Sequence, residues 1–483
     1  MAKDNIIGRE HEIKLLDDLI ASDKAEFVAL YGRRRVGKTY LLQQYFDGKM
    51  DFYYTGMFQT EKNVQIDRFA TLLSQFSDKP KKKIKTWFEA FDVLREYISM
   101  LDKKKVIVFL DELPWMDTPK SNFLAAFSEF WNTWGCQRPE LKLFICGSST
   151  TWIMSNIIGD RGGLYGRMTR AIYIAPFNLG ETEQFLIKMK GIRWNRHQIL
   201  ELYMILGGIP YYLDLLKKGV PFTQCIDGLF FNRGAALRNE FDFLYRSLYG
   251  NSTLYKQVIE ILSKRLTGLT RSEIAKALKL KSGGALSEAL ENLSNCDFIR
   301  RYTSIGKSTK DTIYQLTDLF SLFHLKFVKS YNNDENFWTR LHGQSVQTTW
   351  AGYAFEQVCL HHIPQIKAKL GISGVLSNVC SWIGSQKDSS GKIIQSGQID
   401  LLIDRNDEVI NVCEIKYYKS KFNIDDEYAE YLRERMALFQ RVTKTGKALW
   451  LTIITTYGLT ESANSGEVQN VVLSDDLFVI NLP

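Results

Sequence analysis

No apolar stretch in the 483 residues approaches the roughly eighteen needed to cross a bilayer, and the N-terminus lacks a charged segment followed by an apolar one. A membrane span and a secretory leader are therefore not expected, and a cytoplasmic location is. The seven cysteines, Cys136, Cys146, Cys225, Cys296, Cys359, Cys380 and Cys413, are odd in number, scattered and without a CxxC pair. That pattern excludes a disulfide framework or a zinc site and points to reduced, mostly buried thiols. The composition is not that of a disordered or fibrous chain: at 45% hydrophobic residues there is ample core for roughly two to four domains. Nor is the charge strongly one-sided. A net +8 permits a nucleic-acid partner without demanding one, and the basic clumps Lys79 to Lys85 and Lys103 to Lys105 read as solvated loops.

Against these absences stands GRRRVGKT, Gly32 to Thr39, between the apolar run Phe27 to Tyr31 and the helix-like Tyr40 to Phe46. This is the P-loop pattern GxxxxGK[ST] in its required setting of strand, glycine-rich turn and helix. Gly32 and Gly37 let the backbone approach phosphate oxygens and aim the N–H groups of Gly32, Arg33, Arg34, Arg35, Val36, Gly37, Lys38 and Thr39 at them. Lys38 reaches the β- and γ-phosphates of a nucleoside triphosphate such as ATP, and the Thr39 hydroxyl is placed to ligate Mg²⁺. Further on, Val106 to Leu113, VIVFLDEL, ends an apolar strand in two acids. Asp111 is the second magnesium-holding candidate, and Glu112 the general base for the attacking water. A third apolar strand, Leu141 to Cys146, runs into GSST, where Ser148 or Ser149 stands as a γ-phosphate sensor.

Around these strands the spacing predicts a helix with Ile13, Leu16 and Leu19 on one face, a strand Asp51 to Thr55, and helices Val64 to Phe76 and Thr86 to Leu101. Strand alternating with helix gives a parallel sheet in a three-layered α/β core. A strand Ile172 to Ile174 follows, stopped by Pro176, with Glu181 opening a helix; Arg167 and Arg170 just before it are candidate arginine fingers, in cis or from a neighbouring subunit. Residues 181 to 245 read as helical, with GGIP at Gly207 to Pro210 between two helices.

Residues 253 to 320 change character. A helix Tyr255 to Leu266, a capping-box signature of Thr270 with Glu273 opening Arg271 to Leu278, a helix Ala285 to Cys296 capped by Ser282, and strands Ile299 to Thr303 and Thr312 to Leu316 lay out a winged helix. Lys276, Lys279, Lys281, Arg300, Arg301, Lys307 and Lys310 are placed for phosphate contacts with DNA. The last third holds a second constellation: an amphipathic helix Gly352 to Ile363 with Glu356, Asp400 at the start of a strand Gly397 to Arg405, and Glu414 and Lys416 on one face of a strand Val409 to Lys419. Asp400, Glu414 and the carbonyl of Ile415 suit a hard Mg²⁺ or Mn²⁺ ion. Lys416 can then orient water or offset charge building on phosphorus, the chemistry of metal-dependent phosphodiester hydrolysis.

GRRRVGKT, LDELPW, GSST, the GRxxxxIYIxPF segment and GGIPYYL together resemble the archaeal and bacterial ATPases of the AAA+ superfamily related to the STAND and Orc/Cdc6-like branch. The resemblance implies ATP binding on an α/β core with a helical lid, and it matches the family's arginine to Arg167. The E…D…ExK order of Glu356, Asp400, Glu414 and Lys416 resembles the PD-(D/E)xK nucleases, Holliday-junction resolvase-like and restriction-like, and the DUF234 module that accompanies such ATPases; Ile399 stands where the pattern has proline. The implied architecture is a P-loop core over 1–180, a helical lid over 181–250, a winged helix over 251–325 and a restriction-endonuclease-like α/β domain over 326–483. Two functions follow: an ATPase that couples nucleotide state to Mg²⁺-dependent DNA cleavage, or a nucleotide-switched DNA- or protein-binding regulator whose nuclease-like domain does not cut. Self-assembly into a homo-oligomer is expected where Arg167 acts in trans.

Overall fold

A computed structural model describes residues 5–148, 150–159, 163–164, 166–250, 252–280, 284–305, 311–331 and 334–480, with only the backbone described at Lys387. The chain divides into two compact units, Met1–Pro176 and Phe177–Pro483. None of its helices among the described residues is long and apolar enough to cross a membrane.

Five apolar runs of the first unit become β1 (Glu26–Tyr31), β2 (Phe52–Thr55), β3 (Val106–Asp111), β4 (Leu141–Cys146) and β5 (Arg170–Tyr173). They pair in parallel in the order β2-β3-β4-β1-β5. Strands covered on both faces must be apolar along their length, and β3 and β4 are buried at every position. Crossover helices include Glu10–Ala21, Lys38–Tyr45, Lys62–Ser77, Trp87–Met100 and Phe123–Thr133. Much of the packing is aromatic: Phe27, Phe69, Trp87, Phe91, Phe123 and Phe127 share one core cluster. Trp87 and Phe123 meet edge to face with ring centroids 5.0 Å apart. Because β4 lies between β1 and β3, the carboxyl ends of all three open on one crevice, where an open α/β sheet binds ligands. The last strand starts at Arg170 and ends at Tyr173, earlier than the apolar run alone suggests, because it pairs with β1 from Val28 onward.

The second unit begins with helices Leu179–Lys188, Arg196–Leu206, Pro210–Asp214, Phe222–Ile226 and Glu240–Tyr249. Glu181 sits inside the first of these, not at its start. Asn178 is the cap: its side chain accepts from the Glu181 N–H at 2.9 Å, and Glu181 accepts from the Asn178 N–H at 2.8 Å. A capping box of this kind stabilises a helix by about 1 kcal/mol. GGIP falls between two helices; Gly208, with φ +67, has no room for a side chain, since a Cβ there would run into the Phe177 carbonyl.

A three-helix segment follows, Thr253–Lys264, Arg271–Ala277 and Gly284–Asn295, with β6 (Leu269–Thr270), β7 (Ile299–Tyr302) and β8 (Ile313–Leu316) in a small antiparallel sheet ordered β6-β8-β7. Thr270 and Glu273 form the capping box in both directions. Ser282, the cap expected for the third helix, lies outside the described residues. The chain then supplies a long helix, Ser345–His361, and a five-stranded mixed sheet of β9 (Ser377–Lys387), β10 (Ile393–Arg405), β11 (Val409–Lys416), β12 (Ala448–Thr455) and β13 (Asn470–Leu473). The first three strands are antiparallel neighbours and the last three parallel ones, the helix Asp426–Thr443 joining β11 to β12. Two sequence expectations change here. Helix Ser345–His361 starts before Gly352 and buries polar Gln347 and Gln357 beside Trp350, Phe355 and Val358 while Val346 and Thr349 are exposed, so polar and apolar residues are not sorted onto opposite faces. β10 starts at Ile393, which puts Asp400 in mid-strand.

Candidate functional site

The P-loop joins β1 to helix Lys38–Tyr45, and its path depends on two glycines. Gly32 adopts φ +139 with its Cα against the Ile174 carbonyl, where any Cβ would collide, and Gly37 adopts φ +90 immediately before the helix. Lys38 is only 7% exposed. Its ammonium donates to the carbonyls of Gly32 at 2.9 Å and Arg33 at 3.0 Å, so the loop wraps its own lysine. Arg33 and Val36 are buried; Arg34, Arg35 and Thr39 are half-buried. The Thr39 hydroxyl lies 3.2 and 3.1 Å from the two Asp111 carboxylate oxygens, which brings the two magnesium-ligand candidates into contact. A cradle that excludes side chains, a buried cation and a hydroxyl–carboxylate pair fit a nucleotide with its magnesium ion.

Asp111 ends β3 and is 3% exposed. It also accepts from the Cys146 thiol at 2.5 Å, the Tyr53 hydroxyl at 3.3 Å and the Glu112 N–H at 2.9 Å. Glu112 leaves the strand in a left-handed conformation, φ +49, and turns its carboxylate to Ser148, accepting from the N–H at 3.0 Å and from the hydroxyl at 2.9 Å. Burial pushes the Glu112 carboxyl up, with Asp111 adding to the rise and Ser148 and Lys38 opposing it. Ser148 is thus the partner of the candidate base, while Ser149 lies outside the described residues. Arg167 is exposed in the turn before β5 and Arg170 exposed at its start.

In the second unit Leu401 pairs with Cys413, and one step further along this antiparallel register Asp400 lies opposite Glu414. Lys416 shares the face of Glu414 and forms an ion pair with it at 3.0 Å. Glu356 reaches the same neighbourhood from its helix: burial, then Asp400 and Glu414, push its carboxyl up to about 8. Asp400 is likewise raised by burial and by Glu414, and accepts from Gln398 at 2.6 Å. The structure therefore draws Glu356, Asp400, Glu414 and Lys416 together.

A divalent ion, however, does not fit the cluster in this arrangement. Glu414 already accepts on Oε2 from Arg435 and on Oε1 from the Tyr428 hydroxyl, both on helix Asp426–Thr443, besides its pairing with Lys416. Burial alone would raise the Glu414 carboxyl, but Arg435 and Lys416 outweigh it and hold the group low. The Ile415 backbone runs in register with Ile454 of β12. Among the described residues no three His, Cys, Asp or Glu side chains form a group able to hold a metal ion. Arg300, expected on a phosphate, instead turns inward: it donates to Gln315 at 2.6 Å and to Ser381 at 2.9 Å, and Ser381 donates to the Asp400 carbonyl at 2.6 Å. Lys276, Lys279 and Arg301 remain exposed; Lys281, Lys307 and Lys310 lie outside the described residues.

With this geometry the front of the chain can be compared with known proteins. Residues 6–216 match the family described as an ATPase domain predominantly from Archaea. Over 324 residues the chain is 28% identical to an uncharacterized protein of Methanocaldococcus jannaschii, covering 67% of this chain and 68% of that one. Among solved structures, a Walker-type ATPase of Pyrococcus abyssi aligns at 19% identity and TM-score 0.48 over 67% of this chain and 97% of its own. The ORC2 protein of Aeropyrum pernix, solved as ADPNP and ADP complexes, aligns at 11% identity and TM-score 0.39 over 68% of this chain and 96% of its own.

Several residues that hold these sites together carry weak signals in the sequence. In the first unit, Arg9 takes a left-handed conformation and donates to the carbonyls of Val36 at 3.3 Å and Ala175 at 2.6 Å, fastening the P-loop to the end of the sheet. Cys146 and Tyr53 reach Asp111 only because β4 and β2 flank β3. Arg435 and Tyr428 stand seven apart on one helix, a spacing that marks a shared face, but nothing local says that the face meets Glu414. Tyr417, next after Lys416, donates to the buried Glu201 at 3.2 Å and so pins the end of β11 to helix Arg196–Leu206.

Proposed function

We propose that this chain binds and hydrolyses ATP at the P-loop and that nucleotide state governs the binding of DNA by the second unit. The ATPase family match and the closed constellation of Lys38, Thr39, Asp111, Glu112 and Ser148 support the first half; the Thr39–Asp111 contact is the observation that carries it. Magnesium, when bound, would be held by Thr39 and Asp111 and would offset charge on the β- and γ-phosphates. Gly32 to Gly37 cradle the phosphates, and Lys38 exchanges its two carbonyl partners for phosphate oxygens. Glu112, its carboxyl raised by burial, takes a proton from the attacking water, and Ser148 holds it in place until then. Arg167, exposed, serves as the finger, in cis or from a second copy. Lys38→Ala is expected to abolish nucleotide binding in a fluorescent-ATP titration. Glu112→Gln should keep binding and stop phosphate release; unchanged turnover in Lys38→Ala would remove the P-loop from the reaction.

The second half takes the chain as a P-loop core (1–180), a helical lid (181–250), a winged helix (251–325) and a nuclease-like domain (326–483), and is supported by exposed Lys276, Lys279 and Arg301 in the segment read as the winged helix. For the last domain, binding without cutting is the reading favoured here, because Arg435, Lys416 and Tyr428 already satisfy Glu414. Cleavage is the second reading, favoured by Asp400 facing Glu414 across the strand pair with Glu356 beside them. Plasmid incubated with Mg²⁺ or Mn²⁺ separates the two: intact plasmid supports binding alone, whereas nicking that disappears in Asp400→Ala and Lys416→Ala supports cleavage.

A further inference from the structure

A cavity of about 710 Å³ opens between helix Thr253–Lys264, the helical run 319–328 and helix Ser345–His361 of the second unit. That volume lies within the roughly 300–1,000 Å³ of sites that enclose a ligand. Its lining is mostly apolar, with Leu266, Leu322, Leu325, Val346 and Trp350 among the residues that line it, and Lys264, Lys326 and Lys329 also line it. The one carboxylate among the lining residues, Glu260, is spent on Lys329 at 2.7 Å. Lys264 and Lys326 are exposed and leave the cavity with an excess of positive charge. Tyr353 also lines the cavity; its hydroxyl donates to the Leu266 carbonyl at 3.1 Å, and it stands one helical turn before Glu356.

We infer that this cavity binds a single strand of nucleic acid, its bases against the apolar lining and its phosphates on Lys264 and Lys326. An apolar surface between lysines is the combination that single strands require, since each nucleotide presents an apolar face and an anion. An acidic amphipathic peptide has the same two features. The strand is favoured because the cavity is walled by helix Thr253–Lys264, the first helix of the segment that the DNA-binding reading takes as a winged helix. The inference rests on that reading.

The test uses the full chain with EDTA and no nucleotide, a fluorescein-labelled single-stranded oligonucleotide, and anisotropy across a salt series. The double variant Lys264→Glu, Lys326→Glu changes only exposed side chains, and circular dichroism checks that it folds. It should bind at least about tenfold more weakly, and the salt slope should shrink by about 1.4, two phosphate contacts at about 0.7 each. A bromouracil-substituted oligonucleotide should crosslink to peptides spanning 345–353 in the unmodified chain. Unchanged affinity and slope in the double variant, with the unmodified chain binding, overturn the cavity and leave the DNA-binding reading standing. Absence of any binding by the unmodified chain, both here and in a repeat with ATP and Mg²⁺, overturns both. Capture of a labelled poly-glutamate peptide by Lys264 and Lys326 in place of the oligonucleotide gives the cavity to an acidic protein partner and overturns the inference.

Discussion

Ser148 gives Glu112 two hydrogen-bond donors on one carboxylate oxygen, and that pairing opposes the burial that raises the Glu112 carboxyl, which bears on the pH response of the proposed hydrolysis. Glu112 works as a base only when ionised. Burial raises its pKa in the folded protein, so turnover should climb as pH rises through that raised value and fall away on the acid side. Ser148→Ala removes one donor that favours the charged form; its acid limb should move to higher pH, with turnover lowered more on the acid side than on the alkaline side. A pH profile of steady-state phosphate release measures this, and an unshifted acid limb would assign Ser148 to packing alone. Lys38, Thr39, Asp111 and Glu112 were legible in the sequence because the P-loop and the acidic strand end fix their own backbone locally. The thiol of Cys146 on Asp111 was not, since two residues from separate strands meet only after the sheet is ordered.

The clamp between helix Asp426–Thr443 and β11 belongs to the scale of elements. Arg435 is 6% exposed and Glu414 8%, so removing the arginine leaves a buried carboxylate short of its main counter-charge. Arg435→Gln should lower stability by about 3–5 kcal/mol, read as a fall in urea midpoint at pH 7. The same change frees an oxygen of Glu414, and calorimetry should then detect Mn²⁺ binding that is absent from the unmodified chain. Stability unchanged by the substitution would mean that Lys416 and Tyr428 suffice. Element types were readable from periodicity, as the capping box of Thr270 with Glu273 shows. The character of Ser345–His361 was not: spacing over Gly352 to Ile363 predicts an amphipathic helix, yet polar Gln347 and Gln357 are buried.

For the whole molecule, coupling between nucleotide and nucleic acid must be reciprocal. If ATP changes the affinity for an oligonucleotide by a factor of about 5–150, the oligonucleotide changes ATP affinity by the same factor. Titrations in both directions should agree, and Lys38→Ala should bind the oligonucleotide with no response to ATP; an oligonucleotide affinity indifferent to ATP in the unmodified chain would sever the proposed switch. The sequence by itself determined the P-loop and its acidic strand, the α/β core, the helix and hairpin layout near residue 300, and the carboxylate and lysine order of the last third. All of these are written in spacing along one segment, where backbone geometry follows from a few neighbouring residues. The tertiary structure alone decided that β4 separates β1 from β3, that Arg300 turns from solvent toward Ser381, and that Arg435 occupies Glu414. Those outcomes depend on which distant side chains share a low-dielectric interior, where a buried charge must find a partner and the nearest one is set by packing.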